Sequence, residues 1–243
     1  MEKILLLFDC HLTTKATKQY RLVVNKFLPW YKPDEVILGG DFMDCASLSH
    51  WICNMGLRLE GKRYKKELEF AKKEIVKIFK HTKRITWLEG NHENWVAQYV
   101  ERNPQLEGMM AISNHIDFNK YHINWIPMNH LYHRGKRGKI YFTHGLYTGK
   151  YHARQHVESL GCNIVYGHKH SAQTYQVNMK MQKPYMGYSI GCLCGFAPEY
   201  LKNRPSGWIN QFAICELNDS IFNLTPVNII NNQFIYGGKL WRV

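Results

Sequence analysis

Short apolar runs that stop on polar, chemistry-bearing residues recur along this chain. Ile4–Phe8 runs into Asp9-Cys10-His11, and Val36–Leu38 into Gly39-Gly40-Asp41 with Asp44 close behind. Ile85–Leu88 leads to Gly90-Asn91-His92-Glu93, Ile140–Phe142 to His144-Gly145, and Ile164–Tyr166 to Gly167-His168-Lys169-His170. Apolar runs this short, bounded by glycine and polar residues, read as buried strands, and the loop after a strand can present side chains to a shared site. Between the first two runs, Lys15 to Trp30 carries Tyr20, Val23, Val24, Phe27 and Leu28 at spacings of three and four, the pattern of a helix. Strand, helix, strand implies parallel strands joined by a right-handed crossover. Glu67–Phe79 is a second helix, with Leu68, Ala71, Ile75, Ile78 and Phe79 as its apolar stripe and its lysines mainly elsewhere. From about Ala172 the pattern changes to short segments, 173–177, 185–190, 208–216, 222–227 and 233–236, expected to form an antiparallel second sheet. No linker rich in Gly, Ser or Pro divides the chain, so one domain over residues 1–243 is expected.

In an open α/β sheet, ligands bind at the carboxyl ends of the strands. Five polar clusters delivered to that edge can converge. Carboxylate, imidazole and amide oxygens without thiolate suit Mn²⁺, Fe²⁺ or Zn²⁺ in five- or six-coordinate sites. Each cluster alone is weak, because a Gly-Asp pair is common and a single histidine such as His144 is more often a hydrogen-bonded core residue. Together and in this order, each behind a strand, they describe a site for two divalent cations, with Asp41 able to bridge.

The series Asp9-x-His11, Gly40-Asp41-x-x-Asp44, Gly90-Asn91-His92-Glu93, His144-Gly145 and Gly167-His168-x-His170 resembles the calcineurin-like metallophosphoesterase superfamily. The match runs from Lys3 to about His170, and the chain is similar in length and layout to small stand-alone phage and bacterial members. The resemblance implies a four-layer α/β/β/α sandwich and two divalent metal ions at the sheet edge. By the same resemblance, Asp9, His11, Asp41 and His170 hold one metal, and Asp41, Asn91, His144 and His168 the other. His92 sits beside them as the catalytic acid, oriented by Asp44. Two adjacent cations lower the pKa of a bridging water, and a histidine titrating near neutrality can protonate the leaving oxygen. Protein phosphatases of the family carry an arginine after the second Asp of Gly-Asp-x-x-Asp, where this chain has Cys45-Ala46, and the lipid-A pyrophosphatase branch has arginine in place of His92. Neither branch fits. His168 and His170 are more similar to the repair-nuclease and small-phosphodiesterase branches. Of the three metals, the ligands suit Mn²⁺ best.

The formal charge of +13 favours a polyanionic partner. The excess concentrates in 58–84 and in Arg134, Lys136, Arg137 and Lys139, for which a solvated face is the alternative reading. No apolar run approaches the ~20 residues of a membrane span, and Ile4–Phe8 is too short for a signal peptide. The seven cysteines have no zinc-finger spacing and suit reduced thiols, so a cytoplasmic protein is expected, with Cys10 and Cys45 as small buried spacers.

The expected activity is therefore phosphodiester hydrolysis, with nucleic acid as substrate. Trp51, Trp95 and Tyr99 are candidates to stack on bases, and Lys150, His152 and Arg154 to bind phosphate at a helix start. A phosphomonoesterase or cyclic-nucleotide phosphodiesterase is the alternative, and a non-catalytic binding module the third reading. The aromatic C-terminal segment, with Trp208, Phe212, Phe222, Phe234, Tyr236 and Trp241, suggests a homo-oligomeric interface.

Overall fold

The computed structural model describes residues 1–51, 54–177, 184–196 and 206–243. The strands are β1 (Glu2–Leu7), β2 (Glu35–Leu38), β3 (Arg84–Leu88), β4 (Ile123–Ile126), β5 (Tyr132–Arg134), β6 (Ile140–Phe142) and β7 (Ile164–Tyr166). They continue with β8 (Gln173–Val177), β9 (Tyr185–Ser189), β10 (Gln211–Leu217), β11 (Phe222–Asn228), β12 (Gln233–Tyr236) and β13 (Lys239–Arg242). One sheet has the order β11-β10-β1-β2-β3-β4, a second the order β5-β6-β7-β9-β8, and β12-β13 form a separate hairpin.

The alternation of side chains along β1 explains the layering. Leu5 and Leu7 point into a core shared with helices, whereas Ile4, Leu6 and Phe8 point into a second core between the sheets. β10 divides in the same way, Phe212 and Ile214 to the helices and Ala213, Cys215 and Leu217 to the second sheet. On β7, Val165 faces the first sheet, while Ile164 and Tyr166 face Val157. Val157 lies on a helix at His152–Leu160. The order is helices, sheet, sheet, helix, which is the four-layer α/β/β/α sandwich.

The C-terminal strands depart from the expected arrangement. The second sheet does not begin at Ala172. It already contains β6 and β7, which pair in parallel and carry the fourth and fifth clusters. β10 and β11 leave it and join the first sheet, β10 running antiparallel to β1. β10 is buried at almost every position, as a strand covered on both faces must be. Alternation identifies such a strand but not its neighbour.

The expected helix between β1 and β2 is α1 (Lys18–Leu22), a π-helical stretch Val23–Phe27 and α2 (Leu28–Tyr31). Thr17 caps it by accepting the Tyr20 amide, and the chain reaches Pro29, which has no N–H, after Leu28 N–H has bonded back to Val23. The remaining helices are α3 (Gly56–Leu59), α4 (Tyr64–Phe79), α5 (Asn91–Arg102) and α6 (His152–Leu160). On α4, Leu68, Ala71, Ile75 and Ile78 join the helix-side core, while Lys65, Lys66, Lys72, Lys73 and Lys77 face solvent. The second basic cluster lies at the far end of the molecule from Asp9, where Arg134 pairs with Glu2 and Glu35 at the start of β1 and β2.

The aromatic C-terminus finds its partners within the chain. Phe27 packs on Phe212, Phe234, Tyr236 and Trp241. Cys10 and Cys45 are buried, and burial pushes both thiols well above their ordinary pKa, as expected of inert spacers. No helix among the described residues is long and apolar enough to cross a membrane.

Candidate metal centre

All five clusters meet at the carboxyl ends of β1, β2, β3, β6 and β7. The chain turns sharply after β1, β2 and β7. Asp9, His11, Asp41, His168 and His170 have φ of 49°, 44°, 48°, 68° and 56°, the left-handed region that side chains with a Cβ rarely occupy. Such strain costs of order 1–3 kcal/mol per residue and persists where the surroundings over-determine it. Glu93 supplies part of that constraint. Its Oε2 accepts the Asp41 and Gly90 amides at 2.9 and 3.0 Å, and its Oε1 the Met43 amide at 2.9 Å, lacing the second cluster to the third. Only glycine fits at 90, because a Cβ there would stand 2.2 Å from Asp41 Oδ1.

Within this frame the ligand atoms form two half-sites around Asp41. In the first, His170 Nε2 lies 3.2 Å from Asp9 Oδ1 and 3.2 Å from His11 Nε2. In the second, His144 Nε2 lies 3.0 Å from Asn91 Oδ1 and 3.1 Å from His168 Nδ1. Asp41 Oδ1 accepts the His92 amide, while its Oδ2 reaches across both halves, 3.7 Å from His11 Nε2 and 3.4 Å from His144 Nε2.

The donor chemistry fits cations at both places. His144 Nδ1 donates to the Gly39 carbonyl at 3.0 Å, so in the neutral ring the Nε2 lone pair points at Asn91 Oδ1 and His168 Nδ1. Acceptors crowd one point, and a positive ion relieves them. Asp9 Oδ2 accepts the His168 amide, while the fully buried Asp9 Oδ1 faces only His170 Nε2 among the described side chains. Protonation relieves only part of this crowding. Burial alone would lower the His144 pKa, but Asp41 outweighs it and raises it to about 10. Burial and then the charged His144 ring push His168 down to about 4. Burial works against ionisation of Asp41, yet His144 and His92 hold its carboxyl well below the usual range.

His92 stands at the rim, and its support differs from the expectation. Its Nδ1–H donates to the main-chain carbonyl of Asp44 at 2.6 Å, with the Asp44 carboxylate at 3.5 Å. The carboxylate instead lies 3.2 Å from His11 Nδ1. The carbonyl of Asp44 therefore fixes the tautomer of His92, and its side chain orients a ligand histidine. Burial opposes ionisation of Asp44, but the hydrogen-bonded His11 and the neighbouring His92 ring hold it well below the usual carboxylate range. Trp95, expected as a base platform, lies against His92 with ring centroids 3.9 Å apart. Tyr99 packs against the helix-side core, and Trp51 is 71 % exposed.

The three residues expected to bind substrate behave differently from one another. Lys150 is exposed, with Nζ over the Tyr151 ring, and Arg154 is exposed and paired with Glu158 at 2.8 Å. His152 is a correction. It is buried, with Nδ1 2.5 Å from the Tyr166 hydroxyl and Nε2 3.3 Å from Ser171 Oγ, so it is a packed core histidine. It begins α6, and the first turn of an amphipathic helix can face inward as readily as outward.

Residues 3–177 match the family model described as calcineurin-like phosphoesterase. The chain belongs to that family. It is accordingly a metal-dependent phosphoester hydrolase. It is 22 % identical to the Gene 54 protein of Mycobacterium phage L5, over 100 % of this chain and 99 % of the relative. To the Gene 54 protein of Mycobacterium phage D29 it is 24 % identical over the same shares. A double mutant of Vps29 from Entamoeba histolytica superposes with a TM-score of 0.51 at 12 % identity, covering 98 % of this chain and 95 % of that one. Vps29 of Chaetomium thermophilum gives 0.50 at 12 %, covering 95 % and 93 %. At such identities the likeness to solved structures is one of fold.

A buried acid beside the calcineurin-like centre gives a pH-dependent prediction. Glu67 of α4 lies under the Asp44–Cys45 turn, and burial, then the Asp44 charge, raise its pKa from 4.5 to about 8. Below about 4.5 the folded and unfolded chains both hold this proton. Between there and about 8 the unfolded chain releases it more readily, so the folded state loses stability as pH rises. Glu67→Gln removes that cost. Its Tm advantage over the parent is expected to grow between pH 5 and pH 8 to several degrees, at ~1.4 kcal/mol per tenfold change in proton affinity. Thermal denaturation at the two pH values checks this, and an equal difference at both would show that Glu67 ionises normally.

Proposed function

We propose that this chain is a phosphodiesterase acting on nucleic acid, with Mn²⁺ as its metal. The observation that carries the diester reading is a cavity of about 400 Å³ beside the first half-site. It opens onto His11, His92, His170 and Asp44, and no lysine or arginine is among its described lining residues. A monoester's terminal phosphate keeps two charges and calls for a further cation besides the metals, usually a forked arginine. A diester keeps one. The exposed lysines of α4 support a polyanionic substrate, since Glu67 places the first turns of that helix beside Asp44.

Two divalent ions held by Asp9, His11, Asp41, Asn91, His144, His168 and His170 would supply hydroxide near neutral pH and neutralise phosphate oxygens. His92, with Nδ1 committed to the Asp44 carbonyl, turns Nε2 toward the site, 3.8 Å from Asp41 Oδ2. That nitrogen is placed to give its proton to the departing oxygen. Burial alone would lower the His92 pKa, but Asp41, then Asp44, raise it to about 9, a rise that cations bound at Asp41 would oppose. Residues 1–243 are read as one domain, because β10 completes the sheet that carries Asp9 and Asp41.

The test is hydrolysis with Mn²⁺ of labelled single- and double-stranded DNA and RNA, beside p-nitrophenyl phosphate, across a salt series. The expected result is polynucleotide cleavage that falls about tenfold or more between ~50 and ~200 mM salt. Turnover of small phosphates alone, insensitive to salt, would establish a phosphomonoesterase.

A further inference from the structure

Resting on the diesterase reading, we propose that the cavity beside the first half-site receives the nucleobase next to the scissile phosphate, so that the nucleotide cut is unpaired. Beyond the metal-centre residues its described lining is uncharged, Thr13, Thr17, Cys194, Gly195, Phe196 and Trp208, with the two aromatic rings as its largest surfaces. Trp208 sets its ring edge-to-face against His170, with centroids 4.2 Å apart and planes at 67°. Phe196, at the cavity, is 49 % exposed, a large apolar ring offered to solvent beside a catalytic centre. Thr17 lines the same space but has spent its hydroxyl, which donates to the Leu193 carbonyl and accepts the Tyr20 amide. Thr13 Oγ1 accepts the Lys15 amide. The two rings give such a surface a flat π-face on which a base can stack.

The cavity is continuous with His11, His92 and His170, so its occupant would lie next to a phosphate bound at the metal centre. A base inserted toward His170 gives up its Watson–Crick partner and its neighbours in the stack. A paired strand would pay that unstacking before reaction, and a single strand or a frayed end would not. The platform is thus Phe196 and Trp208. Trp51, Trp95 and Tyr99, the candidates from the sequence, do not line this cavity.

The test compares two diesters with the same leaving group, thymidine 5′-(p-nitrophenyl phosphate) and methyl p-nitrophenyl phosphate, on the Mn²⁺-loaded full chain. The wild type is expected to prefer the thymidine ester in kcat/KM by about tenfold or more, mostly through KM. In Phe196→Ala this preference ratio falls toward one, and in Phe196→Tyr it is retained. A single-stranded oligonucleotide is cut faster than its duplex. Equal turnover of the two diesters by the wild type, an unchanged ratio in Phe196→Ala, or equal rates on single strand and duplex overturns the base site while leaving the diesterase reading intact. Inert diesters beside active p-nitrophenyl phosphate would overturn the diesterase reading, and the base site with it.

Discussion

Replacing His92 with alanine is expected to lower polynucleotide cleavage by ~10²–10⁴-fold while metal content stays at the wild-type level. The ring lies edge-to-face on His11, with centroids 4.4 Å apart, but neither of its nitrogens holds a ligand atom in place: its Nε2 stands 3.8 Å from Asp41 Oδ2, and its Nδ1 is held by a main-chain carbonyl. It can therefore be removed without unseating an ion. The loss should depend on the leaving group. A sugar alkoxide needs a proton as the bond breaks, whereas p-nitrophenolate leaves as a stable anion. The variant should thus keep far more of its activity toward bis-p-nitrophenyl phosphate than toward DNA or RNA. An equal loss on both classes of substrate would mean that His92 acts on metal placement or substrate binding. Because the Asp44 carbonyl and not its carboxylate sets the tautomer, Asp44→Ala is not equivalent to His92→Ala. It loosens His11 and so weakens the first half-site.

Asp41→Ala should abolish loading of both ions together. Its Oδ2 reaches His11 and His144 on opposite sides. With that negative charge gone, the buried imidazoles lose the group that balances a dication. Heating with and without Mn²⁺ reads the effect directly. Ion binding raises the Tm of the wild type by mass action, about 2.7 kcal/mol at a metal concentration 100 times Kd, and the variant should show no rise. Hydrolysis should fall below detection on every substrate. Retention of one tightly held ion would show that the two halves bind independently and that Asp41 does not bridge them.

The ligand residues were legible because each follows an apolar run directly, and a run that stops on Asp or His advertises a strand end with chemistry on it. The layering was legible only through the family resemblance. Alternation marks β6, β7 and β10 as buried strands, but it cannot say that the first two belong with β8 and β9 and the third beside β1. The support of the site was hidden for a different reason. A carbonyl has no residue type, so nothing in the letters announces that the Asp44 backbone will hold His92. Glu93 was visible in its motif, but the three amides it gathers come from positions set only once the strands pair. His152 misled because a histidine in the first turn of an amphipathic helix looks alike whether it faces a phosphate or Tyr166. Phe196 carried no signal at all. It is a single aromatic residue in an irregular segment, and its neighbourhood comes from His11, Thr13 and Thr17, far away in sequence.

The two-ion centre is the claim on which the rest depends, and metal stoichiometry with anomalous diffraction tests it most directly. After Mn²⁺ loading and dialysis, the predicted result is two ions per chain. One lies among Asp9, His11 and His170, the other among Asn91, His144 and His168, and both touch Asp41. A single ion, ions bound elsewhere, or phosphoester hydrolysis that survives complete chelation would contradict it.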